Sequence, residues 1–341
     1  MIKTKTIRKP ATIKDIASQA GVSVAAVSKT LNEVPGIGFQ TREKIMEIAK
    51  RLNYHVNLNA RALVSTNPET IAIVVPQTSE FAFSNPFYAE VIKGIARKVR
   101  EYGWALLFSF PGKGSYSKIF LQHLAAGIIV LANRLGDPQV KEAQMSGVPM
   151  VLIPGLVTRS KIPSVHVDNI DGAFKAGNHL VNIGHRRIAF IYGQLNFRDS
   201  VERLIGYRKA LRKHNIPHFE ELLLQSDFTQ EGGYLGMKKL LSLAQPPTAV
   251  LAINDLSALG ALKAAKEMAW RVPETVSVVG FGDIPFATLS NPALTTVRQP
   301  FQELGYEAAG MLLNLISGKR LVKRHLTLPV ELVVRDSTGP P

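Results

Sequence analysis

Thr12-Ile-Lys-Asp-Ile-Ala-Ser-Gln-Ala-Gly-Val-Ser-Val-Ala-Ala-Val-Ser-Lys-Thr-Leu-Asn32 spells two short amphipathic helices around a glycine turn. Thr12 can cap the first helix, and Asp15, three residues on, supplies the acidic half of a capping box. Ile13, Ile16, Ala17 and Ala20 fall on one helical stripe. Gly21 stops that helix, because a residue without Cβ enters the left-handed region without strain. Ser23 caps the second helix, whose inward positions are Val27 and Leu31. Its outward positions are Val24, Ala25, Ser28, Lys29 and Asn32, small or polar side chains that fit a DNA major groove without clash.

A third helix is expected within Thr41–Leu52, turning Ile45, Ile48, Ala49 and Leu52 inward and Arg42, Glu43, Glu47, Lys50 and Arg51 outward. A helical cap domain with a solvated charged face is the plainer reading of such a helix pair. Charge speaks against it. The first 65 residues carry eleven basic side chains against Asp15, Glu33, Glu43 and Glu47, within a chain of formal net charge +15. A polyanion is the natural partner of that surface.

Beyond Thr70 short β-rich runs alternate with helical periods. Ile71–Val75, Ala105–Phe108, Gly127–Leu131, Met150–Ile153, Ile188–Ile191, Leu222–Leu224, Ala249–Ile253 and Val276–Val279 read as strands, with a helix around Phe87–Tyr102. Runs apolar on both faces and separated by helices indicate parallel sheets covered on each side. The 341 residues hold a small domain plus two lobes of ordinary size.

Several chemistries lack their residues. With no cysteine there is no disulfide, thiolate metal site or cysteine nucleophile. Gly112-Lys-Gly-Ser115 lacks the upstream glycine of a phosphate loop, and no Gly-x-Gly-x-x-Gly follows the first strand. His214 and His218 have helical spacing, but Pro217 interrupts it. Catalysis, a bound metal and a cofactor are therefore not expected. No signal peptide or membrane span is visible, so the expected location is the cytoplasm.

The chain resembles the LacI/GalR (lactose-repressor) family of bacterial transcription regulators. The resemblance rests on Ala11-Thr-Ile-Lys-Asp-Ile-Ala, Gly21-Val-Ser-Val-Ala, Thr41-Arg-Glu-Lys-Ile, Leu52-Asn-Tyr54, Asn59-Ala-Arg-Ala-Leu63, Gly184-His-Arg-Arg-Ile-Ala189, Asn254-Asp255, Ser277-Val-Val-Gly-Phe281, Leu294-Thr-Thr-Val-Arg-Gln-Pro300 and Leu332-Val-Val-Arg-Asp-Ser-Thr338. It implies an α/β core of two lobes built like a periplasmic binding protein, with doubly wound parallel sheets, behind an all-α helix-turn-helix domain. The expected parts are a headpiece over 1–56, a hinge helix and linker over 57–67, and an effector-binding and dimerisation core over 68–341. Within the core, one lobe is expected to span about 68–167 plus 299–322, and the other 168–298 plus 323–341.

The implied function is a homodimeric, sequence-specific regulator, expected to be a repressor, that grips a pseudo-palindromic operator in double-stranded DNA and answers to a small-molecule effector. Thr12, Ser23, Val24, Ala25, Ala26, Ser28, Lys29 and Asn32 are the headpiece residues expected at DNA. Lys29 can reach guanine acceptors, Val24 and Ala25 can meet thymine methyls, and Ala26 stands where relatives often carry threonine. In the hinge, Asn57, Ala60, Arg61 and Leu63 are expected to join them, with Leu63 as the wedge between base steps. So short a helix is marginal alone, and Val56 replaces a common proline. With no heptad tail after Arg335–Thr338, a dimer is expected rather than a coiled-coil tetramer.

For the effector the resemblance singles out Arg203, whose fork suits polar groups, and Phe228, a flat ring for stacking, with Phe87, Asn254 and Asp283 beside them. Pro154-Gly155 stands where sugar-binding members often present an aspartate. Gly282 precedes the nearest acid, Asp283. Both departures shift the expectation from a simple hexose toward an anionic or modified metabolite, with induction and co-repression both open. A solute receptor without DNA binding is the rival reading.

Overall fold

The capping box written at Thr12 is formed. In the computed structural model, which describes residues 11–31, 34–52, 54, 68–112, 114–154 and 161–341, the Asp15 N–H donates to Thr12 Oγ1 (3.3 Å) and the Thr12 N–H to Asp15 Oδ2 (2.7 Å). Helix α1 (Ile13–Ala20) ends at Gly21, φ +69°. Helix α2 (Val24–Leu31) starts under Ser23, whose Oγ accepts the Ala26 N–H at 3.2 Å. Helix α3 spans Phe39–Arg51, two residues ahead of the expected start. Its N-cap is Gly38, extended and with no side-chain acceptor, so no cap residue in the sequence marked that boundary. Ile16, Val27 and Ile45 are fully buried at the centre, with Ala17, Ala20, Ile48 and Ala49 around them. Arg51 donates to Gln19 Oε1 (2.9 Å), tying α3 to α1.

The chain divides into two compact units, Met1–Asn67 and Pro68–Pro341. The second begins with β1 (Thr70–Val74), α4 (Ser79–Ser84), α5 (Pro86–Glu101), β2 (Ala105–Ser109), α6 (Ser117–Leu121), β3 (Gly127–Leu131), α7 (Pro138–Met145), β4 (Met150–Ile153) and β5 (Ser164–Val167). Then follow α8 (Asn169–Asn182), β6 (Ile188–Tyr192), α9 (Arg198–Lys213), β7 (Leu223–Gln225), α10 (Gln230–Leu241), β8 (Ala249–Ala252), α11 (Asp255–Glu267), β9 (Ser277–Gly282), α12 (Pro285–Leu289) and β10 (Thr295–Arg298). The chain closes with α13 (Phe301–Ile316), β11 (His325–Leu328) and β12 (Glu331–Val333).

Two six-stranded sheets result, ordered β11-β5-β4-β3-β1-β2 and β12-β10-β9-β8-β6-β7. All pairings are parallel except β10 with β12. The central strands β3, β4 and β8 are buried at every residue, which is why they read as unbroken apolar runs. The chain passes to the second lobe after Val167 and returns after Arg298, since α13 lies on β3, β4 and β5.

The last crossing corrects the expected boundary at 322–323. Strand β11 pairs with β5, Leu328 opposite Val167, so residues 325–328 belong to the first lobe and the chain crosses only at Pro329–Val330. As an edge strand with exposed His325 and Thr327 and buried Leu328, β11 lacks the apolar run that marks a central strand. Glycine brings α5 and α13 into backbone contact: a Cβ on Gly94 would lie 1.8 Å from the Gln302 carbonyl, and one on Gly305 would lie 2.0 Å from that of Val91. That contact places Phe87 and Phe301 side by side at the cleft between the lobes.

Candidate functional site

The cleft opens at the carboxyl ends of the strands, where doubly wound folds place their ligands. Gln77 follows β1, Arg134 follows β3, Phe197 follows β6, Asp227 and Phe228 follow β7, Asn254 follows β8, and Gln299 follows β10. They enclose a cavity of about 270 Å³. Its first-lobe wall is aromatic, with Phe87 and Phe301 edge to face at 5.6 Å. Across it, Phe197 and Phe228 meet edge to face at 5.4 Å. Rings from both lobes thus offer apolar faces, and Asp199 and Asp227 line the cavity with one carboxylate oxygen each already engaged. Asp199 Oδ1 accepts from Asn169 Nδ2 (2.9 Å) and Asp227 Oδ1 from the Thr229 N–H (3.1 Å) and hydroxyl, which leaves Oδ2 of each as the acceptor.

Arg203 sits at the floor, 4% exposed. Its Nε donates to Asn169 Oδ1 (2.8 Å), its Nη1 to the Ile253 carbonyl (2.6 Å), and its Nη2 lies 3.8 Å from Asp199 Oδ2. The guanidinium plane lies 3.7 Å over the Phe281 ring. Burial pulls its pKa down from the usual arginine value, and the Asp199 carboxylate opposes that shift. Two of its three nitrogens are therefore committed to the fold, and the third, Nη2, faces Asp199.

Asn254 also lines the cavity, with both ends of its amide engaged. Its Oδ1 accepts the Ser257 N–H (2.8 Å), capping α11, and its Nδ2 donates to the Phe228 carbonyl (2.9 Å), which holds Phe228 at φ +67°. Asp255, the next residue, is buried. It accepts the Thr296 hydroxyl and the Ile284 N–H (2.8 Å), and burial raises its carboxyl to about 6.

Four of the five expected effector residues, Phe87, Arg203, Phe228 and Asn254, line one cavity. Asp283 does not, and that expectation is corrected. Its carboxylate is taken by Arg298 Nε (2.7 Å) and Arg335 Nη2 (2.6 Å) on the other side of the β9 end, because the left-handed turn at φ +60° carries it away from the cleft. Sequence reasoning missed Phe81, Arg134, Phe197, Asp199, Asp227 and Phe301. The usable signal was position just past a strand's carboxyl end, which Arg134, Phe197 and Asp227 share.

In the first unit, Thr12, Ser23, Val24, Ala25 and Lys29 are exposed, and Ala26 and Ser28 half-buried. The Thr12 and Ser23 hydroxyls both serve as caps, so they mark the helix N-termini that can face phosphate. Thr30, read neither as core nor as contact, is buried. Asn32, Asn57, Ala60, Arg61 and Leu63 lie outside the described residues. Among the described residues, no cluster of three His, Asp or Glu is placed to hold a metal, and no helix is long and apolar enough to cross a membrane.

A family model for bacterial regulatory proteins of the lacI family matches residues 12–57, and one for a periplasmic binding protein-like domain matches residues 178–338. The HTH-type transcriptional repressor CytR of Escherichia coli (strain K12) is 33% identical over 342 residues, 99% of each chain. The chain belongs to the LacI family. Among solved structures, the lac repressor dimer bound to operator and the anti-inducer ONPF matches with a TM-score of 0.86 at 28% identity, over 97% of this chain and 100% of that one. A complex of the transcriptional regulator CelR with cellobiose matches with a TM-score of 0.76 at 31% identity, over 96% and 99%. As a LacI-family protein the chain is a DNA-binding transcription regulator with an effector domain, not an enzyme, which sets aside the solute receptor without a DNA role.

Proposed function

We propose that this LacI-family regulator is a cytoplasmic homodimeric repressor whose cleft takes a neutral, hydroxyl-bearing effector, a sugar or a close relative with flat apolar ring faces. The observation that carries the ligand class is the pairing of aromatic walls with the Asp199 and Asp227 carboxylates around one cavity. Carboxylates accept from hydroxyls and repel anions, while aromatic faces bury the C–H faces of a ring. Arg203 offers no free fork for a phosphate or carboxylate, since its Nε and Nη1 are spent on Asn169 and Ile253. A neutral effector thus replaces the anionic one suggested by Pro154 and Gly282.

On the DNA side, α2 enters the major groove with Val24, Ala25 and Lys29 toward base edges and Ser28 and Asn32 beside them, while the N-termini capped by Thr12 and Ser23 face phosphates and Ala26 packs close to the backbone. Asn57, Ala60, Arg61 and Leu63 complete the contact in the minor groove, with Leu63 wedging a base step. Twofold symmetry of the dimer matches a pseudo-palindromic operator.

Gel shifts with genomic fragments at low and moderate salt, with and without cellobiose, monosaccharides and sugar phosphates, test both halves. A fragment shifted at moderate salt and released or tightened by a neutral sugar supports the reading. A response confined to sugar phosphates overturns the ligand class. Leu63→Ala is expected to weaken binding to the shifted fragment more than to random DNA, and equal losses on both would remove the wedge.

A further inference from the structure

Two loops meet across the mouth of the cleft. On the first lobe, residues 132–137 leave β3 through Ala132 at φ +54°, whose N–H donates to the Ile153 carbonyl at 2.6 Å. The far end is fixed too. The Asp137 N–H donates to the Arg134 carbonyl (3.3 Å), and the Asp137 carboxylate caps α7 through the Gln139 N–H (2.9 Å) and accepts the Tyr116 hydroxyl (2.7 Å). A segment tied at both ends presents its outward groups with little entropy left to lose.

Those groups reach the other lobe. The Leu135 N–H donates to the Asn196 carbonyl at 2.7 Å, and the Arg134 guanidinium lies 6.0 Å from the centre of the Phe197 ring. Phe197 meets Phe228 edge to face. Contact therefore runs without a break from the first lobe's rim to the aromatic wall of the cavity.

We propose that residues 134–135 and 196–197 form a clasp that holds the lobes closed, with Arg134 as its positioning residue acting through Phe197. Parting the lobes breaks the main-chain bond and the cation–π contact together. A ring stacked on Phe228 restrains Phe197, and so favours the closed clasp by the amount that it restrains it.

The cysteine-free chain allows a clean test. Nitroxides on Lys141→Cys in the first lobe and Glu231→Cys in the second, both exposed, report the interlobe distance by pulsed electron resonance, and hydrogen exchange of a peptide covering 133–137 reports the Leu135 amide. Arg134→Ala is expected to enlarge the long-distance population and speed that exchange about two- to fivefold, the range of an exposed cation–π contact. Phe197→Leu, which removes that contact and the one with Phe228, should do at least as much, and the double variant no more than Phe197→Leu alone. Exchange over 127–131 stays unchanged if the fold is intact. Distance distributions and exchange rates in both single variants superimposable on the parent overturn the clasp, as do fully additive effects in the double variant.

Discussion

The headpiece and the cleft are built on opposite plans. In the headpiece the caps that bound α1 and α2 lie within a few residues of their partners: Thr12 with Asp15, the Ala17 carbonyl with the Gly21 N–H, Ser23 with Ala26. The cleft gathers side chains from strand ends more than 200 residues apart, Gln77 and Gln299 among them. A surface can be written locally, whereas a cavity needs the whole topology. The two regions should therefore fail differently.

The largest effect expected is on the headpiece, whose small core has no reserve. Ile16, fully buried there, should cost about 2–5 kcal/mol on truncation to alanine. Ile16→Ala is expected to abolish DNA shifts while the main calorimetric transition, from residues 68–341, stays in place. If that transition moved by several degrees, the two units would not fail separately.

Next comes Arg203→Ala. A buried cation with committed partners is costly to delete, about 3–5 kcal/mol, because Asn169 Oδ1 and the Ile253 carbonyl lose their donors. Urea melts of the core should show that loss. A variant as stable as the parent would mean that Arg203 serves the ligand alone.

A third test uses pH. Asp255, held at about 6 against an ordinary 3.8 by burial, resists ionisation in the fold, so its contribution to stability falls as pH rises from about 4 to about 6. His166 works the other way in the same window. Burial lowers it to about 4 from 6.5, so the unfolded chain takes up a proton first and stability rises with pH. Asp255→Asn removes only the first effect. Relative to the parent, the variant should gain stability across that window by about 3 kcal/mol, at about 1.4 kcal/mol per pKa unit. A difference independent of pH would contradict the placement of Asp255.

This contrast also explains what the sequence disclosed. The caps, the glycine stop and the inward stripe of α1 and α2 were legible because each obeys a rule spanning eight residues or fewer. Phe87, Arg203, Phe228 and Asn254 came through resemblance to the family, and the structure gathers them in one cavity. Asp283 failed because a left-handed turn, invisible as a pattern, points it at Arg298 and Arg335. Strand β11 escaped because an edge strand that alternates exposed and buried residues looks like a polar tail. Asp199 and Phe197, on or beside an ordinary-looking amphipathic helix, gave no local sign.

The smallest effect expected belongs to one exposed cation. Lys29→Ala should weaken DNA binding and lower the slope of log affinity against log salt by about 1 if Lys29 meets a phosphate. An unchanged slope with relaxed sequence preference would assign it to a base edge instead.

The central claim is that occupancy of the cleft controls the headpiece. Linkage is reciprocal, so the most direct measurement is a pair of titrations on the full chain: a shifted genomic fragment with and without a sugar that raises the core's melting temperature, and that sugar with and without the fragment. The account predicts the same factor, different from one, in both. A sugar that binds the cleft yet leaves DNA affinity unchanged would contradict it.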